Sequence, residues 1–215
     1  MIIQPNSKLV MIGDSITDAG RTRPVGEIWS DALGRGYVNF VEALLGARYP
    51  AHNIRVANMG VDANTVMDLK ARWQTDVLDL KPDWLCICIG INDVWWQHAF
   101  PYVSEKHIPL GQYKQTLDEL VTNTKPTLKG VILMTPYLEP DRNEPVRAMM
   151  DEYGEVVRQI AEKHQAILVD TQAAFDNLLP HVHSSFFALD RVHPTQAGHM
   201  ILARAFLQAI GYEWE

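Results

Sequence analysis

Five short apolar runs alternate along this chain with segments whose apolar residues recur at helical spacing. The runs lie near residues 8–12, 53–58, 83–89, 130–135 and 166–170. Most are apolar at successive positions, which is typical of strands covered by helices on both faces. The other segments predict helices near 37–47, 65–80, 110–124, 145–164 and 194–210. This alternation predicts a five-stranded parallel sheet in a three-layer α/β/α sandwich, with a long loop over residues 20–36.

Length and charge narrow the range of partners. The chain has 215 residues, of which 47% are hydrophobic, so it can bury a full core, and one domain over residues 1–215 is expected. A net charge of −7 without a basic cluster argues against a nucleic-acid partner. No apolar run approaches the roughly 20 residues of a membrane span, and the first residues do not resemble a secretory signal. We therefore expect no membrane partner and a cytoplasmic location.

Potential ligands for metals and cofactors are sparse. Cys86 and Cys88 alternate within one apolar run, which predicts two buried thiols without a disulfide. His181 and His183 have no further ligand at metal-binding spacing. The sequence also contains no nucleotide-binding glycine loop. We therefore expect neither a metal nor an organic cofactor.

Ser15 follows the first apolar run directly, within the sequence Gly13-Asp14-Ser15. The carboxyl ends of strands are where open α/β sheets place their chemistry. Near the other end of the chain, Asp190 and His193 stand three positions apart, which puts both on one face of a turn. The carboxylate can then accept a hydrogen bond from one imidazole nitrogen while the other nitrogen meets a hydroxyl. A serine, a histidine and an aspartate in this arrangement indicate the nucleophile, base and orienting acid that a serine hydrolase requires.

Further candidates follow the first and third predicted strands. Asn92 provides an amide that could stabilise an oxyanion, with a structural Asx turn as the alternative. Trp95 could stack on a sugar ring, with plain packing as the alternative. Asp14 is the second candidate for substrate binding. For Asp14 and Asp93, however, hydrogen bonding to the loop backbone is the favoured interpretation.

Four sequence blocks, in order, resemble those of the SGNH, or GDSL, hydrolase family. They are Gly13-Asp14-Ser15, Asn58-x-Gly60, Gly90-x-Asn92-Asp93 and Asp190-x-x-His193-Pro194. The resemblance extends over nearly the whole chain and implies the flavodoxin-like SGNH hydrolase fold. It also implies catalysis by Ser15 as nucleophile, His193 as base and Asp190 as orienting acid.

The same resemblance implies three donors to an oxyanion. They are the backbone N–H of Ser15, the side chain of Asn92 and the N–H at the family's second-block glycine, where this sequence has Ala63. Alanine retains the N–H, and it is strained only if φ is positive. Its methyl group would crowd the acyl pocket, so we expect small acyl groups.

Segments 13–21, 65–73, 81–95 and 190–214 are similar to bacterial acetylxylan esterases of this family. The similarity implies an intracellular, homo-oligomeric serine esterase that removes acetyl groups from acetylated carbohydrate, with xylo-oligosaccharides as the expected substrate. Two alternatives stay open. One is a short-chain acyl thioesterase or lysophospholipase with the same triad, and the other is a non-catalytic carbohydrate-binding module.

Overall fold

The computed structural model describes residues 1–137 and 144–214. Within them, the strands are β1 (Lys8–Gly13), β2 (Gly26–Glu27), β3 (Arg55–Gly60), β4 (Trp84–Cys88), β5 (Gly130–Met134) and β6 (Ile167–Val169). The α-helices are α1 (Ser15–Asp18), α2 (Tyr37–Arg48), α3 (Val66–Trp73), α4 (Ile91–Ala99), α5 (Leu110–Thr124), α6 (Pro145–His164), α7 (Thr171–Asp176) and α8 (Gln196–Ala209). Short 3-10 helices cover Ser30–Leu33, Pro50–His52, Ser104–Lys106, Lys125–Thr127 and Ser184–Phe186.

The strands form one sheet in the order β2-β3-β1-β4-β5-β6. The pairs β3–β1, β1–β4, β4–β5 and β5–β6 are parallel. When the parallel strands alone are counted along the chain, their order is 2-1-3-4-5, which is that of flavodoxin-like folds. The predicted parallel α/β architecture is confirmed. The predicted strand number is wrong, because the sheet has six strands among the described residues rather than five.

The sixth strand is β2, which lies within the segment that the sequence predicted to be a loop. It pairs antiparallel with β3 and contains only two residues. Its edge position is reinforced by Arg55, whose guanidinium donates to both carboxylate oxygens of Glu27 at 2.9 and 2.6 Å. A strand of two residues is too short to show a hydrophobic periodicity, so no sequence pattern predicts it.

The sheet is buried on both faces. In β1 the residues Leu9, Val10, Met11 and Ile12 are all 0% exposed, and every residue of β4 is buried. Two groups of helices cover it. In one, α2 and α7 both contact α8; in the other, the contacts run in the order α3, α5, α6 and α4. The thiols of Cys86 and Cys88 are free and buried, which confirms the predicted absence of a disulfide between them.

Helix boundaries follow from local capping chemistry. Helix α3 begins with a capping box in which Thr65 and Asp68 satisfy each other's backbone N–H groups. The predicted helix 65–80 is regular only to Trp73 and continues as a π-helical turn over Gln74–Leu78. Helix α8 begins later than predicted, because Thr195 rather than Pro194 caps it. None of the helices in the described residues is both long and apolar enough to span a lipid bilayer.

The sheet order brings three strand ends together. Because β1 lies between β3 and β4, the loops after Gly13, Gly60 and Cys88 leave the sheet side by side. Space is tight there: a Cβ on Gly13 would lie 2.3 Å from both the Cys88 carbonyl oxygen and Thr17 Oγ1, so only glycine fits. This edge carries the candidate site.

Candidate active site

Ser15, His193 and Asp190 form a connected chain of hydrogen bonds. Ser15 Oγ lies 2.9 Å from Nε2 of His193, across 178 positions of sequence. On the other side of the ring, Nδ1 of His193 lies 2.6 Å from Oδ2 of Asp190. A hydroxyl, a base and an orienting carboxylate in this order are the geometry required to activate a serine nucleophile.

The carboxylate of Asp190 is held by its own turn. Its Oδ1 accepts hydrogen bonds from the backbone N–H groups of Val192 at 3.0 Å and His193 at 2.7 Å. Burial raises the pKa of Asp190, but the hydrogen bonds from the His193 side chain and from these two N–H groups outweigh it. The net pKa is therefore below its usual range. The group stays ionised and can fix the orientation of the imidazole.

Asp14 precedes the nucleophile and caps the helix that begins with it. Its side chain caps α1 by accepting a hydrogen bond from the Ile16 N–H at 3.0 Å, and it is only 1% exposed. Burial raises its pKa to about 7, while the Ile16 hydrogen bond and the charge of His193 act in the opposite direction. Because this carboxylate is buried and accepts from the backbone, the structure favours the backbone hydrogen bonding expected for Asp14 over the predicted contact with substrate.

The three residues predicted to donate to an oxyanion, Ser15, Ala63 and Asn92, line one cavity. Among the described residues, the backbone N–H groups of Ser15 and Ala63 donate to no protein acceptor. Asn92 Nδ2 donates one hydrogen to the carbonyl of Asn64 at 3.0 Å, which orients the amide and leaves its second hydrogen available. The arrangement can accept a developing negative charge without reorganising.

Ala63 has a left-handed backbone, with φ of +60°. This conformation brings the alanine Cβ close to the neighbouring carbonyl, at a cost of roughly 1–2 kcal/mol relative to the right-handed region. The sequence left open whether φ at this position is positive or negative, and the structure has the strained sign. The chain thus keeps the N–H donor at the expense of local strain.

A cavity of about 600 Å³ opens onto these groups. Its lining includes Ser15, Ala63, Asn92, Asp190, His193 and Trp95. Trp95 is half-buried on α4 and lines this cavity, whereas the adjacent Trp96 lines a different one. A volume of this size is within the usual range for small-molecule sites.

Comparison with known proteins places the chain in a family. Residues 11–201 match the GDSL-like Lipase/Acylhydrolase family. The chain belongs to that family. An acetylxylan esterase from Geobacillus stearothermophilus is 56% identical over 215 residues, which cover 100% of this chain and 98% of that protein.

Several solved structures superimpose closely on this chain. Axe2, an acetylxylan esterase from Geobacillus stearothermophilus, matches with a TM-score of 0.97 at 56% identity, covering 100% of this chain and 98% of the other. LAE5, an α/β hydrolase from the metagenome of Lake Arreo in Spain, matches with a TM-score of 0.97 at 51% identity, covering 99% and 98%. Three further Axe2 structures are of catalytic mutants in which a serine, a histidine or an aspartate is replaced by alanine.

In this GDSL protein, two residues of α4 are hydrogen-bonded to the segment that follows Ala63. The Asn92 amide donates to the Asn64 carbonyl, as described above. The carboxylate of Asp93 accepts from the Val66 N–H, at 3.1 and 3.3 Å from its two oxygens. Asp93 is 0% exposed, and burial raises its pKa to about 8, although the Val66 hydrogen bond lowers it. Asp93 therefore positions the start of α3 close to Ala63.

Arg72 joins the ends of β1 and β3 to α3, and the sequence interpretation missed it. From α3 its guanidinium donates to the carbonyls of Gly13 at 2.9 Å and Met59 at 2.8 Å, and to the side chain of Asn64 at 2.7 Å. An ion pair with Asp76 at 2.6 Å holds the guanidinium in place. No motif predicts this role, because a basic residue near a helix end usually serves the helix dipole alone.

Replacing Ala63 by glycine should stabilise the fold. We expect the free energy of unfolding to rise by about 0.5–1 kcal/mol, because the relief of left-handed strain exceeds the extra chain entropy of glycine. Urea unfolding should show a higher midpoint with an unchanged slope. The matched control is Ala148→Gly at an exposed position of α6, which should lower stability by about 1 kcal/mol. If both substitutions lowered the free energy of unfolding, the inference that the backbone of Ala63 is strained would be contradicted.

Replacing Asp93 by asparagine should flatten the dependence of stability on pH. In the folded state the pKa is about 8, whereas an unfolded aspartate titrates near 3.9, so the folded state binds more protons between these values. The stability that Asp93 contributes is therefore full below pH 4 and lost as pH rises through about 8. Between pH 6.5 and 7.5, Asp93→Asn should remove about 1 kcal/mol per pH unit from the downward slope, measured by urea unfolding. The control Asp79→Asn removes an exposed carboxylate, and an equal effect of both substitutions would argue against this assignment.

Proposed function

We propose that this chain is a serine esterase that removes acetyl groups from acetylated xylo-oligosaccharides through an acyl-enzyme intermediate. The observation that carries the proposal is the hydrogen-bonded chain from Ser15 Oγ through the His193 ring to Asp190, which opens onto a cavity. The full-length similarity to an acetylxylan esterase supports the choice of substrate. Each step below uses groups that the chain itself provides.

Acylation begins when His193 Nε2 removes the proton of Ser15 Oγ as that oxygen attacks the acetyl carbonyl. Negative charge develops on the carbonyl oxygen, where the N–H groups of Ser15 and Ala63 and the amide of Asn92 can stabilise it. Asp190 stabilises the imidazolium through its hydrogen bond to Nδ1. When the tetrahedral intermediate collapses, the C–O bond to the sugar breaks and His193 protonates the departing hydroxyl oxygen.

Deacylation repeats these steps with water in place of the sugar. His193 takes a proton from the water as its oxygen attacks the acetyl-serine carbonyl, and the same donors stabilise the second oxyanion. Collapse releases acetate and returns the proton to Ser15 Oγ. Because the two halves use the same groups, loss of any donor slows both.

Charge distinguishes between the candidate substrates. The catalytic cavity is lined by Asp62 and Asp190, and a neighbouring cavity adds Asp68 and Glu105 against one lysine, Lys106. Phosphate-bearing substrates such as lysophospholipids or coenzyme A thioesters would meet mostly like charge there. Neutral saccharides meet hydrogen-bond acceptors instead, which supports the acetylated sugar.

Acetate release from acetylated xylo-oligosaccharides is the direct test, and a chain-length series of 4-nitrophenyl esters is its complement. We expect kcat/KM to fall about tenfold or more once the acyl chain exceeds roughly four carbons, because the Ala63 methyl narrows the acyl pocket. Preference for long acyl chains would favour the lysophospholipase alternative. Saccharide binding without hydrolysis of any acetyl ester would favour a carbohydrate-binding module.

We also propose a homo-oligomer and a cytoplasmic location. The oligomer is supported by large apolar side chains at the surface, among them Trp29 at 76% and Leu189 at 82% exposure. Light scattering of the purified protein tests the assembly, and cell fractionation tests the location.

A further inference from the structure

A second cavity adjoins the catalytic one. It encloses about 410 Å³, which is large enough for a small-molecule ligand. Asp62 and Ala63 line both cavities, so a ligand bound at Ser15 can extend past this shared wall into the second cavity. None of the acylation or deacylation steps uses a residue found only in the second cavity.

Asp62 is a hydrogen-bond acceptor at the junction of the two cavities. It is exposed, and among the described residues its carboxylate has no hydrogen-bond or ion-pair partner. Many surface carboxylates are unpaired, so this observation alone does not indicate a binding role. The position of Asp62 between the cavities does, because sugar hydroxyls are donors and a carboxylate accepts from them in strong charge-assisted bonds.

Trp96 contributes an aromatic surface to the second cavity. It is half-buried on α4, and the exposed ammonium of Lys106 lies over its ring at 4.1 Å from the centroid. A cation at such an exposed site interacts weakly with the ring. The Lys106 side chain can therefore move aside when a ligand packs against the indole. The ring then offers an apolar face to the C–H groups of a sugar.

The charges of the second cavity favour an uncharged occupant. Asp62, Asp68 and Glu105 oppose the single cation Lys106. One carboxylate oxygen of Asp68, Oδ2, already accepts hydrogen bonds from the backbone N–H and the hydroxyl of Thr65. Carboxylate-bearing sugars would be repelled, whereas neutral hydroxylated rings would not.

We propose that the second cavity is a subsite for the neutral sugar ring next to the acetylated one, with Asp62 accepting from hydroxyls and Trp96 packing against the ring face. The proposal rests on the proposed function, since it assumes that an acetylated saccharide occupies the catalytic cavity. It adds where the neighbouring sugar binds and which residues recognise it. Both residues act on binding and not on the chemical steps.

The test compares kcat/KM for acetylated xylotriose, acetylated xylose and 4-nitrophenyl acetate in the wild type and in Trp96→Ala and Asp62→Asn. For each variant, kcat/KM for each sugar is divided by kcat/KM for 4-nitrophenyl acetate. A smaller amount of folded protein then leaves this ratio unchanged. Trp96→Ala should lower the xylotriose ratio about tenfold through KM while the xylose ratio changes less than twofold. Asp62→Asn, at the shared wall, should lower the xylotriose ratio about tenfold.

Tyr102→Ala is the matched control. Tyr102 is an exposed ring that contacts Phe100, as Trp96 does, but it lines neither cavity. All its ratios should stay within twofold of the wild type. Equal loss on xylotriose and xylose in Trp96→Ala, or xylotriose ratios within twofold of wild type in both variants, would overturn the subsite while leaving the esterase proposal intact. A wild type that releases no acetate from either sugar would overturn both.

Discussion

Replacing Ser15 by alanine should lower kcat for acetyl esters by on the order of 10⁵–10⁶. The substitution removes the oxygen that forms the acyl bond, and His193 then has no nucleophile to deprotonate at 2.9 Å. Residual hydrolysis over water should persist, because the oxyanion donors and the cavity remain. A serine-reactive phosphonate should label the wild type once per chain and leave Ser15→Ala unlabelled, as measured by intact mass.

The matched control for this labelling is Ser104→Ala, which removes another exposed hydroxyl. It should react with the phosphonate at the wild-type rate. An adduct that persists on Ser15→Ala and maps to another residue would contradict the assignment of the nucleophile. Circular dichroism should show that both variants are folded, since neither hydroxyl is needed by a buried partner.

Replacing Asp190 by asparagine should lower kcat by on the order of 10²–10⁴ with little change in KM. An amide nitrogen facing Nδ1 is a donor, so the ring must carry its proton on Nε2 and cannot accept one from Ser15. The imidazolium also loses the charge that lies 2.6 Å away in the wild type. The Asp190 side chain is 56% exposed, so water can replace part of its interaction with the imidazolium. For this reason the expected loss in kcat extends down to about 10².

The asparagine variant tests the charge without removing the turn. Its side-chain oxygen can still accept from the N–H groups of Val192 and His193, so the thermal midpoint should change little. The exposed substitution Asp79→Asn should leave kcat unchanged. A loss in Asp190→Asn smaller than tenfold would show that Asp190 does not orient the base.

Much of the fold could be predicted because burial leaves a strong pattern. The strands around residues 8–12 and 83–89 are apolar at successive positions, and parallel strands under two helical layers require this. Helix α4 was not predicted, since Gly90-x-Asn92-Asp93 has the composition of a turn and its amphipathic pattern is short. The four-residue α1 and the two-residue β2 depend on tertiary contacts more than on local propensity.

The triad residues Ser15, Asp190 and His193 could be proposed from residue type and order, whereas the oxyanion donor at Ala63 came from the resemblance to a known family. What could not be proposed was the backbone beneath them. The positive φ at Ala63, the burial of Asp14 and the four partners of Arg72 all depend on how loops from distant parts of the chain meet. Asp62 could have been singled out by its place beside Ala63, but only the two cavities show why it matters.

The guanidinium of Arg72 has a consequence for protein engineering. Arg72 connects two strand ends and Asn64 to α3 by hydrogen bonds. Mutations on α3 should therefore change the geometry of the catalytic residues even when the mutated residue does not contact them. On α4, Asn92 and Asp93 also bind this region, whereas Trp95 and Trp96 line the two cavities without a hydrogen bond to any described residue there. Libraries that aim to change which esters are accepted should therefore vary Trp95 and Trp96 on α4, and leave Asn92, Asp93 and α3 unchanged.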